Sequence, residues 1–220
     1  MKLIGDIHAY PWTQMIANNC NTYAVAGPPT LLIDPGHANF YYHVEKGLKE
    51  DKLPETPEIV FLTHCHPDHF EAAEQLQKKG SRLAMHSLEV EYMQGQGRSL
   101  ARSLGMNFPE LKIDIILEEG PFQLGNEEWE VFLTPGHSPG HVCLYNNTQK
   151  VLFAGDLIFA QGVGRVDFPG GSGEELKKSI ERMAKLDLEW VLPGHGPIIK
   201  GAESIRKNFE IIASMYFGLI

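Results

Sequence analysis

The chain has 220 residues, of which 43% are hydrophobic and 21% are charged, and its formal net charge is −9. These values are typical of one globular domain with a sizeable core. The acidic balance argues against a large nucleic-acid-binding surface, because affinity for nucleic acids comes mainly from Lys and Arg side chains that neutralise phosphates.

The cysteines and the apolar segments indicate the cellular compartment of the protein. Cys20, Cys65 and Cys143 are odd in number and widely spaced, so they do not form a disulfide framework and they indicate a reducing compartment. The N-terminal sequence MKLIGDIHAYPW lacks a long apolar core, and no apolar run approaches the roughly 20 residues that a membrane span requires. We therefore expect a cytoplasmic protein with no signal peptide and no membrane partner.

Short apolar runs alternate with longer amphipathic segments in the first half of the chain. Strands are predicted at residues 2–8, 20–26, 31–33, 59–62 and 82–86. Helices are predicted at residues 37–50, from Glu71 onward, and at 87–103, where Gly95 and Gly97 weaken the middle.

The second half begins with a β-rich region. Between residues 113 and 155, turn signals separate five apolar runs: IDIIL, PFQL, WEVFL, HVCLY and VLFAG. Helices are predicted at 173–185 and 201–216, around a short strand at 190–192. Strands followed by helix–strand units thus occur twice, which suits two packed sheets with helices outside. We predict an α/β fold in one domain, residues 1–220.

The segment directly after the strand at 59–62 carries most of the chemistry. Its sequence is His64-Cys65-His66-Pro67-Asp68-His69, and such a motif should arise by composition in about one of a thousand such chains. His64 and His66 can point the same way from an extended segment, and Cys65 then points away from them as a small buried residue. Three imidazoles and a carboxylate suit zinc, iron or manganese, and their spacing suits two adjacent ions better than one.

Three further clusters follow predicted strands and lie in Gly/Pro turns. PGHSPGH, which contains His137 and His141, follows WEVFL; Asp156 follows VLFAG; and PGHG, which contains His195, follows the strand at 190–192. Glycine permits tight turns and close approach of the backbone to a ligand, and strand-end loops commonly carry functional groups. The four clusters together indicate one metal site.

The motifs HCHPDH, PGHSPGH, GD and PGHG, in this order, resemble the metallo-β-lactamase superfamily and, within it, the hydroxyacylglutathione hydrolases (glyoxalase II). The resemblance covers residues 1–217 and implies an αββα sandwich with the metal site along one edge of the two sheets. It implies three groups of ligands: His64, His66 and His137 for a first metal, Asp68, His69 and His195 for a second, and Asp156 bridging both. His141 matches no ligand position and is expected to form supporting hydrogen bonds.

The chemistry of such a site is hydrolysis. Two divalent ions, zinc with iron or manganese as alternatives, can share a hydroxide, because coordination lowers the pKa of water from about 16 to about 7. The same ions polarise a carbonyl group, and Asp68 can accept a proton from the bridging water. The motifs contain no obvious separate general acid, which favours a thiolate leaving group. We therefore expect a small thioester or ester as the substrate.

The substrate site departs from that of the larger glyoxalase II enzymes, which bind glutathione through basic residues of a C-terminal helical domain. Only 25 residues follow His195, enough for one helix, so no such domain is expected. Residues 87–110 can cover the site instead, with an apolar group and two candidate cations: Tyr92, Met93, Met106 and Phe108, and Arg98 or Arg102. The alternative is that these apolar side chains only pack the helix onto the sandwich.

Arg165, in the segment GRVDFPGG, has two interpretations. It can contact an anionic substrate, or it can bond Asp167 or loop carbonyls. The Gly-Arg-x-Asp-Phe core also resembles persulfide dioxygenases of the same superfamily, which hold a single iron through residues matching His64, His137 and Asp156.

Four functions therefore stay open: a dinuclear hydrolase, a mononuclear iron persulfide dioxygenase, a lactonase or phosphodiesterase, and a metal-binding module without catalysis. The expected partner is a small-molecule substrate and not a nucleic acid. Residues 87–110 or the C-terminal segment IIASMYFGLI can also form a contact in a homo-oligomer.

Overall fold

The computed structural model describes residues 1–14, 16–103 and 108–220, and its first sheet has seven described strands in chain order. They are β1 (Lys2–Ile4), β2 (Ile7–Tyr10), β3 (Thr22–Val25), β4 (Leu31–Ile33), β5 (Ile59–Phe61), β6 (Arg82–His86) and β7 (Ile115–Leu117). The pairs from β1 to β4 are antiparallel, and those from β4 to β7 are parallel.

The second sheet is formed by the later part of the chain. The strands of this part are β8 (Gly120–Leu124), β9 (Glu127–Leu133), β10 (Val142–Asn146), β11 (Val151–Gly155), β12 (Ile158–Phe159), β13 (Gly162–Val163), β14 (Trp190–Pro193) and β15 (Ile199–Lys200). The sheet has the order β15-β14-β11-β10-β9-β8, and only β11 and β14 pair in parallel within it. Strands β12 and β13 form a separate small hairpin.

Helices cover the outer face of each sheet. They are α1 (Tyr42–Glu50), α2 (Pro67–Phe70), α3 (Ala73–Lys78), α4 (Ser87–Tyr92), α5 (Arg98–Ser103), α6 (Gly173–Met183) and α7 (Ala202–Tyr216). A 3₁₀ segment (Ala38–Phe40) precedes α1, and a π-helical segment (Met93–Gly97) joins α4 to α5. The segment from Ser87 to Ser103 is called the helical insertion below.

Three apolar layers hold the sheets and helices together. The middle layer lies between the sheets, where Phe61 and Tyr23 of the first sheet share a cluster with Trp129 and Phe153 of the second. One outer layer packs α1 and α3 on the first sheet, and the other packs α6 and α7 on the second. This arrangement is an αββα sandwich, so the predicted fold class is confirmed.

The structure corrects several predicted elements. The single strand predicted at 2–8 is wrong, because the chain turns at Gly5 with φ of 50° and forms β1 and β2. The helix predicted from Glu71, with Pro67 and Asp68 suited to its first turn, is divided into α2, which begins at Pro67, and α3. The helix predicted at 87–103 is present, but its two glycines lie in the π-helical segment. Strands β12, β13 and β15 were not predicted, since each has two residues.

No helix in the described ranges has the length and apolar character needed to cross a membrane. The cytoplasmic location, the absence of nucleic-acid binding and the oligomeric state stay predictions.

Candidate metal centre

The four predicted clusters lie at strand ends and meet at one edge of the sandwich. HCHPDH follows β5 and runs into α2, and His137 lies in the loop between β9 and β10. Asp156 follows β11, and His195 follows β14. Because β11 and β14 are parallel neighbours, their carboxyl ends place Asp156 and His195 side by side. All seven residues expected as ligands therefore lie close together.

Three imidazoles form a first group of potential ligands. Nε2 of His137 lies 2.8 Å from Nδ1 of His66 and 3.2 Å from Nε2 of His64. Ligands at about 2.0–2.1 Å from a tetrahedral zinc ion are about 3.4 Å apart, so this spacing suits one ion. The three residues are buried, and their ligand atoms all lie within 4.8 Å of one another.

A second group consists of Asp68, His69 and His195. Nε2 of His195 lies 3.2 Å from Oδ2 of Asp68 and 3.2 Å from Nε2 of His69. Nε2 of His69 lies 4.0 Å from the same carboxylate oxygen. Two imidazoles and one carboxylate at these distances also fit a divalent ion of the zinc or iron type.

Asp156 lies between the two groups. Its Oδ1 is 3.2 Å from Nε2 of His69, and its Oδ2 is 3.5 Å from Nε2 of both His137 and His195. Burial opposes ionisation of this carboxyl, but His69 and the other neighbouring imidazoles outweigh it and hold the pKa of Asp156 well below its usual range. Oδ1 is buried and has no hydrogen-bond partner among the residues that the structure describes. Since buried polar atoms are normally paired, this oxygen fits a metal ligand.

Asp34 fixes the orientation of two of the imidazoles, and the sequence analysis missed it. Its carboxylate accepts hydrogen bonds from the Thr63 N–H (2.8 Å), the Thr63 hydroxyl (2.6 Å) and Nδ1–H of His69 (2.9 Å). Because the Thr63 hydroxyl donates to Asp34, its oxygen can accept from Nδ1–H of His64 at 3.0 Å. Each imidazole then presents the lone pair of Nε2 to the cluster, as metal-binding histidines do. The only signal was an Asp at the end of a predicted strand.

His137 and His141 have different roles, although both lie in PGHSPGH. Nδ1–H of His137 donates to the carbonyl of Arg165 at 2.8 Å, which leaves its Nε2 free. Nδ1 of His141 bonds the Thr134 hydroxyl at 2.8 Å, and its Nε2 accepts the N–H of Asp156 at 3.0 Å. Burial lowers the pKa of His141 to about 3, so the ring is neutral. Both of its nitrogens are used, as expected of a supporting residue.

A hydrogen bond between Cys65 and Glu89 connects the HCHPDH segment to the helical insertion. Cys65 is buried, as predicted, and burial raises the pKa of its thiol well above the usual range. The N–H of Cys65 donates to Oε1 of Glu89 at 2.9 Å, and the Glu89 side chain is fully buried. Sequence reasoning missed Glu89, because a single acidic residue in an amphipathic helix normally faces solvent.

A cleft of about 500 Å³ opens above the cluster. Tyr92, Phe108 and Arg165, the three residues expected to contact the substrate, all line it. The Arg165 guanidinium donates to both carboxylate oxygens of Asp167, at 2.7 and 2.6 Å, and stacks over Phe168 at 3.6 Å. The contact with Asp167 that a structural role of Arg165 predicts is thus observed. A contact between Arg165 and a substrate stays a prediction.

The other residues of 87–110 that were candidates for contact with a substrate lie in different places. Met93 is buried against the outer layer of the first sheet. Arg98 lies 4.0 Å from Glu110 and 6.0 Å from the centre of the Phe108 ring. Arg102 is exposed at the end of α5. Met106 lies outside the described residues.

The chain is similar to known proteins in sequence and in fold. A model of the metallo-beta-lactamase superfamily matches residues 15–195. The chain belongs to the metallo-β-lactamase superfamily. It is 32% identical over 185 residues to "Probable metallo-hydrolase YqgX" of Bacillus subtilis, covering 80% of this chain and 83% of that protein. It is 30% identical over 204 residues to "Hydroxyacylglutathione hydrolase GloC" of Haemophilus influenzae, covering 86% and 91%.

Solved structures that are similar to this chain share its fold. TTHA1623, solved in a di-iron-bound form, is 32% identical with a TM-score of 0.73, covering 93% of this chain and 96% of that one. The B3 metallo-beta-lactamase BLEG-1 is 28% identical with a TM-score of 0.76, covering 94% and 96%. This superfamily member is therefore a metallo-hydrolase with a His/Asp metal-binding cluster, which confirms the predicted family and the general class of function.

Proposed function

We propose that the protein is a dinuclear metal-dependent hydrolase that cleaves a small thioester or ester, in the manner of glyoxalase II. The observation that carries this proposal is the position of Asp156 between two groups of three potential ligands. One of its oxygens lies 3.2 Å from Nε2 of His69, and the other lies 3.5 Å from Nε2 of His137. A single ion would leave the second group, with its buried imidazole and carboxylates, without a partner.

The metal ions of such a site supply a hydroxide nucleophile at neutral pH and polarise the substrate carbonyl. The chain's residues hold and orient the site around that chemistry. Asp34 fixes the ring of His69, and His141 holds the backbone N–H of Asp156 at 3.0 Å. Apolar side chains line the cleft beside the cluster, where they would limit the access of water to a bound carbonyl group.

Asp68 is the residue placed to accept the proton of the attacking water. It lines the cleft, and its Oδ2 is held by Nδ2 of Asn18 at 2.5 Å and by Nε2 of His195 at 3.2 Å. Burial would raise its pKa, but the hydrogen bond from His195 and the charge of His69 prevail and lower the pKa to about 2. The carboxylate is therefore ionised at neutral pH, as a proton acceptor has to be.

The relative GloC supports a thioester as the substrate, because its name describes hydrolysis of a glutathione thioester. Overall, water adds to the thioester carbonyl carbon and the C–S bond breaks, with its electron pair leaving on sulfur. The products are a carboxylic acid and a thiol. Zinc is the proposed metal, with iron supported by the di-iron form of TTHA1623 and manganese as a further alternative.

The test is to measure metal content and hydrolysis on the same preparation, purified without added metal. Mass spectrometry should find two metal ions per chain, and thiol release should show cleavage of thioesters. One iron per chain together with oxygen consumption on a persulfide would replace this proposal with the dioxygenase. Cleavage of lactones or phosphodiesters but not of thioesters would replace it with the third alternative.

A further inference from the structure

The wall of the cleft is made largely of apolar side chains. They come from the helical insertion and its neighbourhood and from the chain after β11: Tyr92, Leu100, Phe108, Phe159, Val163 and Phe168. The ring of Phe168 lies 5.4 Å from that of His66, and the ring of Phe159 lies 5.8 Å from that of His195. Apolar surface therefore reaches the edge of both ligand groups.

Away from the metal cluster, the charged side chains of the cleft offer few partners to an anionic ligand. Among the described residues that line it, Arg165 is the one permanent cation, and Asp167 already occupies its guanidinium with two hydrogen bonds. The residues outside the described ranges have no charged side chains. The carboxylate of Asp68 lines the same cleft. Away from the metal cluster, whose ions would carry positive charge when bound, the anionic groups of a thiol such as glutathione would meet one cation, and that cation is already paired with Asp167.

We propose, resting on the proposed function above, that the cleft selects thioesters by an apolar acyl group, aliphatic or aromatic, and not through an anionic thiol portion. Each methylene group moved from water into an apolar wall strengthens binding about fourfold. An acyl group of several carbons thus gains more than an exposed anionic thiol portion can gain from a cation that is already paired.

The test compares four thioesters on the metal-loaded enzyme. Phenylacetyl and lactoyl groups are each attached to the neutral thiol N-acetylcysteamine and to glutathione, and thiol release gives kcat/KM. We expect the phenylacetyl thioesters to exceed the lactoyl thioesters at least about tenfold on either thiol. Exchange of the thiol should change kcat/KM less than about threefold. A preference for glutathione with either acyl group would overturn the inference and leave the proposed function intact. Hydrolysis of none would overturn the proposed function and, with it, this inference.

A pair of variants locates the selectivity in the cleft. Leu100→Ala removes part of the half-buried wall and should lower kcat/KM for the phenylacetyl thioester about fivefold or more, with less than about a twofold change for the lactoyl thioester. Leu219→Ala is the matched control, because Leu219 is 81% exposed and does not line the cleft. Equal losses on both substrates in Leu100→Ala would contradict selection by this wall.

A different observation, the buried carboxylate of Glu89, carries a second inference. Oε1 of Glu89 accepts the N–H of Cys65, while Oε2 accepts the Ser138 hydroxyl and the N–H of Gly140, both at 2.8 Å. Cys65 lies inside HCHPDH, and Ser138 and Gly140 lie inside PGHSPGH. One carboxylate thereby joins the two loops whose imidazole nitrogens form the first ligand group.

We infer that Glu89 is a positioning residue that sets the affinity of the first ligand group for its metal. The imidazole nitrogens contributed by the two loops are 2.8 Å apart at their closest, so a small shift of one loop changes the distances to a bound ion. Three neutral donors converge on the carboxylate, and no ion pair with a Lys or Arg is observed for it within the described ranges. The hydrogen bonds of Glu89 are thus directed at the loops themselves.

The test is zinc titration of metal-free Glu89→Gln in competition with a chelator. The amide keeps the shape of the side chain but replaces one acceptor oxygen with a donor, which faces donors of a loop. Zinc affinity of one site should fall about 10–100-fold, with the other site unchanged. Ser138→Ala, which removes one of the three hydrogen bonds, should give a smaller loss at the same site and serves if the Gln variant does not fold.

The control is Asp51→Asn, a carboxylate that also accepts three hydrogen bonds, from the N-terminal amine, His8 and Tyr10. None of these groups belongs to the metal cluster. The Asp51→Asn variant should bind two zinc ions with unchanged affinity, even if it unfolds at a lower temperature than the wild type. Wild-type zinc affinity at both sites in Glu89→Gln and Ser138→Ala would overturn the positioning role.

Discussion

The metal cluster and the wall of the cleft above it are built in opposite ways. In the cluster, buried imidazoles and carboxylates follow strand ends, and several of the rings are oriented by the hydrogen bonds that they donate to Asp34, to the Arg165 carbonyl and to other groups. In the wall, half-buried apolar side chains such as Leu100 and Phe168 come from helices and loops. Few amino-acid substitutions are compatible with the cluster, whereas side chains of the wall can be exchanged without disturbing the strands.

This difference separates the reaction from the choice of substrate. A metal site needs particular donor atoms at fixed distances, so its residues can be tested by single substitutions with large effects. An apolar wall acts through area and shape, so each of its residues has a modest effect. The expected effects below therefore fall in size from the cluster toward the wall.

The largest effect is expected for Asp68→Asn. The amide cannot accept the proton of the attacking water, and loss of a positioned base commonly costs about 10²–10⁴-fold in rate. The fold should be retained, because this side chain lies at the floor of the cleft. Hydrolysis of a thioester measures the first effect, and circular dichroism with thermal unfolding measures the second. Near-wild-type hydrolysis would show that Asp68 has no catalytic role and would count against the two-metal mechanism.

Asp34→Asn should have the next largest effect. The Thr63 N–H bonds Oδ1, while the Thr63 hydroxyl and Nδ1–H of His69 bond Oδ2. The amide nitrogen therefore faces a donor in either orientation, and the support of the His69 ring is weakened. Affinity for the second metal should fall about 10–100-fold. Zinc titration against a chelator tests this. The matched control is Asp114→Asn, whose carboxylate accepts the N–H of Leu83 away from the cluster. Equal affinity in wild type and Asp34→Asn would contradict the role given to Asp34.

His141→Ala distinguishes a supporting histidine from a ligand. Both metals should be retained, because both ring nitrogens already bond Thr134 and Asp156. The free energy of unfolding should fall by about 1–3 kcal/mol or more, since the buried N–H of Asp156 loses its acceptor. Mass spectrometry of the bound metal and urea denaturation are the measurements. Loss of one metal ion in a folded variant would make His141 a ligand.

The sequence predicts residues that belong to a local motif better than residues that act through distant contacts. The motif HCHPDH and the glycine-rich turns around His137 and His195 carry a strong local pattern, so the cluster and the sandwich could be predicted. Asp34 and Glu89 could not, because each is a single acidic residue whose partners lie about 25 to 50 positions away in the chain. Their roles depend on contacts that only the folded chain creates.

The smallest effect is expected for Arg165→Gln, at the boundary between the two regions. The Arg165 side chain is half exposed and paired with exposed Asp167, and such pairs contribute about 0–1 kcal/mol. Its carbonyl, which orients His137, is unaffected by the substitution. KM for a neutral thioester should therefore change less than about threefold. The same variant measured with a glutathione thioester gives the contrast. A selective rise of KM by about tenfold or more for the anionic substrate alone would show that Arg165 leaves Asp167 to bind it, and would place part of the substrate choice in this cation instead of the apolar wall.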